Sequence, residues 1–210
     1  MHKLNKSRIP VITDILKNID AKKGVEIGVF KGQFTKQLLE NWDGTMYMID
    51  PWRALGGEYI DASNHKEHTD AYEQTMGNIK GYENRAFMLR GLGEELVDIF
   101  EDNSLDFVYI DGNHAYDYVV QDMKLWWPKL KKGGLFAGHD YLGTEWGDVD
   151  LMENGKDKHI WMNNGGDPSV DPYKYAGIFG VNPAVDEFCA EHGYDFDVTS
   201  EWTGSWHFIK

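Results

Sequence analysis

The stretch from Leu105 to Tyr141 constrains this chain more than any other, because it reads as two buried strands joined by one helix, with each strand ending in an aspartate. The first run, Leu105-Asp106-Phe107-Val108-Tyr109-Ile110-Asp111, is β-branched and aromatic and closes on Gly112 and Asn113; the second is Gly134-Leu135-Phe136-Ala137-Gly138-His139-Asp140. Between them, Ala115 to Leu130 carries Val119, Val120, Met123, Trp126, Trp127 and Leu130 at helical spacing, and Lys131, Lys132, Gly133 and Gly134 read as the helix stop. Strands joined in this way run parallel and end on the same edge of a sheet. Asp111, His114, His139 and Asp140 are therefore expected to converge there.

The rest of the chain repeats the strand-helix unit around that pair. Ser7 and Pro10 open a helix with Ile12, Ile15, Leu16 and Ile19 on one face. A strand over 24–29 runs into Gly28-Val29-Phe30-Lys31-Gly32 and then a helix through Phe34, Leu38 and Leu39. Glu26, Gly28 and Gly32 thus sit at a strand-to-helix turn, where glycines let backbone N–H groups approach a ligand and the helix N-terminus adds partial positive charge. The next strand, Thr45 to Asp50, ends in an acid about 20 residues past the turn, the distance at which a ribose diol is held. From Pro51 to Thr69 the pattern predicts a loop, with His65 and His68 exposed on it, before a helix marked by Tyr72, Met76 and Ile79. Arg85 to Arg90 forms a further strand, and the turn Gly91-Leu92-Gly93 is the expected neighbour of a base edge.

After Asp140 the polar, glycine-rich stretch 142–178 predicts a lid or substrate insert, with Trp146, Trp161, Tyr173 and Tyr175 as candidate wall residues. Asn182 and Pro183 start a last helix stopped by Gly193, and two final strands, Tyr194 to Ser200 and Ser205 to Lys210, are joined by a turn at Thr203-Gly204.

Charge narrows the partners. Of 210 residues, 21 are Lys or Arg and 35 are Asp or Glu, a net −14, which argues against a polyphosphate backbone and for a small neutral or cationic substrate. There is one cysteine, Cys189, no apolar leader, and no run long enough to span a bilayer, so the expectation is a cytoplasmic protein without nucleic-acid or membrane partners, self-association being left open.

The order of elements resembles the class I S-adenosylmethionine-dependent methyltransferases. Val25-Glu26-Ile27-Gly28-Val29-Phe30-Lys31-Gly32 is similar to that family's first motif, E-x-G-x-x-x-G, and lacks the first glycine of the dinucleotide fingerprint; Asp50 matches its ribose-binding acid. Ile110-Asp111-Gly112-Asn113-His114 with Gly138-His139-Asp140-Tyr141 resembles, more narrowly, the metal-dependent O-methyltransferases of macrolide sugars, the macrocin and mycinamicin type, and the related cephalosporin hydroxylase group. The family pair is usually two acids or Asp-Asn, and His139 departs from it.

The resemblance implies an α/β fold: one Rossmann-like domain over 1–210, with a seven-stranded, mostly parallel sheet, helices on both faces and a C-terminal antiparallel hairpin. It implies S-adenosylmethionine held by Glu26, Gly28, Gly32, Asp50, Gly91, Leu92, Gly93 and Asp111. It further implies a divalent cation, Mg²⁺ by preference, on Asp111, His139 and Asp140, with His114 as the base that deprotonates a hydroxyl of a small-molecule acceptor. Three other readings stay open at this point: an iron-dependent hydroxylase on the same fold, a protein that binds S-adenosylmethionine without turnover, and an NAD-dependent oxidoreductase.

Overall fold

The computed structural model describes residues 2–3, 6–55, 65–142, 180–201 and 203–210. Its strands are β1 (His2–Lys3), β2 (Lys23–Ile27), β3 (Thr45–Asp50), β4 (Ala86–Arg90), β5 (Leu105–Ile110), β6 (Leu130–Leu142), β7 (Asp197–Val198) and β8 (Thr203–Ile209). The helices are α1 (Arg8–Asn18), α2 (Gln33–Asn41), α3 (His65–Asn78), α4 (Gly93–Leu96), α5 (Tyr116–Trp126) and α6 (Val181–His192), with a 3₁₀ turn at Val97–Ile99.

All the strands join one sheet in the order β1-β7-β8-β6-β5-β2-β3-β4. The pairs β5–β2, β2–β3, β3–β4 and β5–β6 are parallel, while β8 runs antiparallel to β6 and β7. This is the expected Rossmann-like sheet with its closing hairpin, extended at the edge by the two-residue β1, which pairs with β7.

Strand β5 shows why the sheet lies between two helical layers. Phe107 and Tyr109 belong to a core cluster with Ile12, Leu16, Phe34 and Leu38 of α1 and α2, whereas Val108 and Ile110 belong to a second with Met123, Trp126, Val185 and Phe188 of α5 and α6. Successive residues of a strand point to opposite faces, so a strand covered on both sides reads as continuously apolar. Each such side chain withdrawn from water contributes roughly 1.5–3 kcal/mol. Between β2 and β5 the chain order reverses, and a crevice opens outside the strand ends at that point.

Several boundaries differ from the sequence pattern. Helix α5 ends at Trp126 and not at Leu130, because Pro128 has no N–H to continue the ladder; Leu130 begins β6 instead. Thr203 and Gly204 are not the hairpin turn but lie within β8, paired with Leu142 and Tyr141. Gly204 serves close packing there, since a Cβ would stand 2.5 Å from Val198 Cγ1. Ser7 occupies the N-cap position of α1 without a side-chain cap bond, and the Arg8 N–H donates to the Glu201 carboxylate instead. The region read as a loop to Thr69 is helical from His65, and His68 is only 8% exposed.

The expected insert at 142–178 falls, beyond Leu142, outside the described residues, as do Trp146, Trp161, Tyr173 and Tyr175. Cys189 is buried and free, and among the described residues no helix is long and apolar enough to cross a membrane.

Candidate active site

The turn after β2 is shaped by contacts that only glycine permits. Gly28 has φ +85°, and a Cβ on it would lie 2.0 Å from the Asp111 carbonyl oxygen, so the ends of β2 and β5 touch here. Gly32, at φ +69°, is the left-handed N-cap of α2, and its Cβ would meet Thr75 Cγ2 at 2.9 Å. Between them even Phe30 takes φ +52°, and its carbonyl accepts bonds from Trp52 Nε1 at 2.8 Å and Thr75 Oγ1 at 2.9 Å. Backbone strain of this kind persists only where surrounding contacts fix it.

The turn does not offer its N–H groups to a ligand in the way the glycine pattern suggests. Gly28 N–H donates to Ile49 O and Gly32 N–H to Val29 O, each at 2.9 Å. The N–H groups of Val29 and Phe30 donate to Asp50 Oδ2 at 3.0 and 2.8 Å, and the Trp52 N–H donates to Asp50 Oδ1 at 2.7 Å. Asp50 therefore fastens the turn with three bonds. A carboxylate has about four lone-pair positions, so one is left on Oδ1 for a ligand hydroxyl.

The second half of the site is built by a bulge. Consecutive residues of a regular strand face opposite ways, yet His139 and Asp140 point to the same place. The pairing of β6 with β8 shifts register between Gly138 and Tyr141, and Asp140 sits at φ +60°. Its Oδ2 lies 3.2 Å from His139 Nδ1 and 2.8 Å from His114 Nε2, while Asp111 Oδ1 is 3.7 Å from His139 Nδ1 and 3.9 Å from His114 Nε2. Thr203 Oγ1 stands 3.4 Å from the other His139 nitrogen. The four residues that the strand ends were expected to bring together do converge, and His114 is held further by its carbonyl, which accepts the Gly180 N–H at 2.6 Å.

A cavity of about 620 Å³ joins the two halves. It is lined by Glu26, Gly28, Asp50 and Asp111, by the Gly91-Leu92-Gly93 turn, and by His114 and Asp140. Gly32 and His139 do not line it: Gly32 caps α2, and His139 Nδ1 lies 3.2 Å from Asp140 Oδ2. Three residues that sequence reasoning left out also line it: Arg8, His68 and Asp122. Arg8 and Asp122 gave no signal, since a polar residue on a helix ordinarily marks a solvated face, and His68 was expected exposed on a loop.

Burial and neighbours set the charges. Desolvation raises the Glu26 carboxyl well above its usual range, against a hydrogen bond from Thr35. Burial also works against Asp140, but the bonds and charges of His114 and His139 outweigh it and hold this carboxyl well below its ordinary value. Desolvation opposes the Arg8 guanidinium too, and is more than offset by Tyr109, Asp111 and Glu26, which keep it charged. The cavity thus carries a cation, Arg8, and an ionised acid beside two imidazoles.

With this geometry in view, residues 25–141, more than half of the chain, match the family model described as a methyltransferase domain. An uncharacterized protein, R132, of Acanthamoeba polyphaga mimivirus is 29% identical over 125 residues, which cover 58% of this chain and 52% of that protein, so the match spans about half the relative's length. Among solved structures, a Staphylococcus aureus protein provisionally designated a caffeoyl-CoA O-methyltransferase superposes with a TM-score of 0.63 at 16% identity, over 96% of this chain and 82% of that one. An O-methyltransferase from Bacillus cereus in complex with S-adenosylhomocysteine gives 0.59 at 15% identity, over 95% and 79%. At such identities the structural likeness speaks for the fold.

Proposed function

Because the chain belongs to the methyltransferase-domain family, we propose that it transfers the methyl group of S-adenosylmethionine to a hydroxyl of a small molecule, with a divalent cation assisting. The observation that carries the reading is the Asp111, His114, His139 and Asp140 cluster, where Asp140 Oδ2 meets both imidazoles and where Asp111, His114 and Asp140 line the same cavity as Gly28.

The residues fit a metal. Asp111, His139 and Asp140 each offer one ligand atom, all within 4.8 Å of one another, and two carboxylate oxygens with one imidazole nitrogen leave positions for water or substrate oxygens. Such an ion supplies Lewis acidity toward a hydroxyl, and S-adenosylmethionine supplies a methyl group already activated by the sulfonium leaving group.

The chain's own residues do the rest. The Gly28 turn, clear of side chains, seats the donor, and Asp50 Oδ1 accepts from a ribose hydroxyl. Asp140 Oδ2, 2.8 Å from His114 Nε2, orients that imidazole as the base. As the acceptor oxygen bonds to the methyl carbon, the C–S pair returns to sulfur to give S-adenosylhomocysteine, and the hydroxyl proton passes to the His114 imidazole. Asp140 then stabilises the imidazolium it has helped to form. The free thiol and the acid-rich surface fit action in the cytoplasm on a neutral or cationic acceptor.

Incubation with methyl-labelled S-adenosylmethionine and a panel of vicinal-hydroxyl compounds tests the reading. Label should enter an acceptor, and EDTA should stop it until Mg²⁺ is restored. Full turnover after chelation would remove the cation from the reading, and bound iron with O₂ consumption would favour a hydroxylase.

A further inference from the structure

The backbone of β6 is distorted so that an imidazole, as well as a carboxylate, reaches Asp111. His139 and Asp140 are consecutive, and a regular strand would send only one of them there; the register shift between Gly138 and Tyr141 and the left-handed φ of +60° at Asp140 bring both. His139 Nδ1 stands 3.2 Å from Asp140 Oδ2 and 3.7 Å from Asp111 Oδ1, with none of the three side chains more than 21% exposed. A six-coordinate ion with bonds of about 2.1 Å separates adjacent ligand atoms by roughly 3.0 Å, so the His139 and Asp140 atoms already have the spacing of neighbouring ligands.

The other nitrogen of the ring has its own partner. Thr203 Oγ1 of β8 stands 3.4 Å from His139 Nε2. A histidine that binds a metal through one nitrogen carries its proton on the other and donates it to an oxygen, which fixes the ring. Thr203 is placed to accept that bond while Nδ1 faces the two acids.

The donor set decides between ions. Carboxylate oxygens suit Mg²⁺, a hard ion that takes oxygen ligands and gives up its water reluctantly. A neutral imidazole standing where a third carboxylate could stand leaves the site one negative charge poorer, which weakens it for Mg²⁺, and adds a softer nitrogen, which strengthens it for first-row transition ions. We infer that His139, held by Thr203, makes this site selective for a transition ion of the Mn²⁺ to Co²⁺ range, with Mg²⁺ a weaker occupant. The inference rests on the reading of Asp111, His139 and Asp140 as a cation site.

Calorimetric titration of chelator-treated protein with CoCl₂ and MgCl₂, beside electron spin-echo spectroscopy of the Mn²⁺-loaded protein, tests this. Wild type should bind Co²⁺ at least about 10²-fold more tightly than Mg²⁺, and bound Mn²⁺ should show the modulation of a directly coordinated imidazole nitrogen. In His139→Asp, shown to be folded by circular dichroism, the nitrogen modulation should vanish and the Co²⁺ to Mg²⁺ affinity ratio should fall by at least about tenfold. His114→Ala should keep the modulation, which assigns it to His139. Thr203→Val should weaken Co²⁺ binding about tenfold and leave Mg²⁺ within a few fold. A wild-type Mn²⁺ complex without nitrogen modulation overturns the inference before any variant is made, as does a modulation kept in His139→Asp and lost in His114→Ala, or an affinity ratio unchanged in His139→Asp. Co²⁺ affinity unchanged in Thr203→Val overturns the part given to Thr203. Failure of all three ions to bind wild type overturns the cation reading and this inference with it.

Discussion

His114 Nε2 lies 2.8 Å from Asp140 Oδ2, which joins the turn after β5 to the bulge of β6 across the end of the cavity. The pair orients one imidazole and stabilises its cation, as a general base needs. His114→Ala is expected to lower kcat by about 10²–10⁴ with S-adenosylhomocysteine affinity within a few fold. Steady-state kinetics beside calorimetry checks it, and a loss confined to ligand affinity would make His114 a binding residue.

Asp50 carries a double expectation. Its carboxylate accepts three backbone N–H groups of the turn and its flank, so Asp50→Ala leaves buried donors without partners as well as removing a ribose contact. Urea unfolding of the ligand-free protein should show a loss of roughly 2–4 kcal/mol. An Asp50→Ala protein of unchanged stability that merely fails to bind cofactor would show those three bonds to be idle.

Asp122 gives a pH signature of its own. Burial and the like charge of Glu94 push its carboxyl up from the ordinary range to about 7 in the folded state, so the native protein binds this proton more tightly than the unfolded chain does. The stability it contributes is fully present below about pH 4 and is lost as pH rises through about 7, on the order of a few kcal/mol. Glu26 shifts in the same direction. The difference between wild type and Asp122→Asn in chemical unfolding from pH 4 to 8 isolates the Asp122 share, with the variant losing less stability across that range. Parallel curves would show that the carboxyl finds a donor in solution.

The sheet was readable because β2, β3, β5 and β6 are runs of apolar residues bounded by turn residues, and that pattern leaves few alternatives. The convergence of Asp111, His114, His139 and Asp140 was readable from the strand-helix-strand connection alone. Its cause was not, since alternation along β6 sends His139 and Asp140 to opposite faces, and only the bulge with its left-handed Asp140 reverses that. Asp50 lines the cavity, but its bonds to the turn depend on backbone positions 21 residues away and leave no trace in composition. Asp122 and Arg8 were missed because an acid or a cation on an amphipathic helix ordinarily faces water. Pro128 did carry the end of α5, and the periodicity continuing to Leu130 hid it.

A crystal structure with S-adenosylhomocysteine and Mg²⁺ tests the central claim most directly. The expected result places the ribose at Asp50, the base beside Gly93 and the sulfur toward His114, with an octahedral ion on Asp111 and Asp140 and, if His139 is a ligand, its Nδ1 in the same shell. Density for the ligand outside this cavity, or an ion that leaves both aspartates untouched, would contradict it.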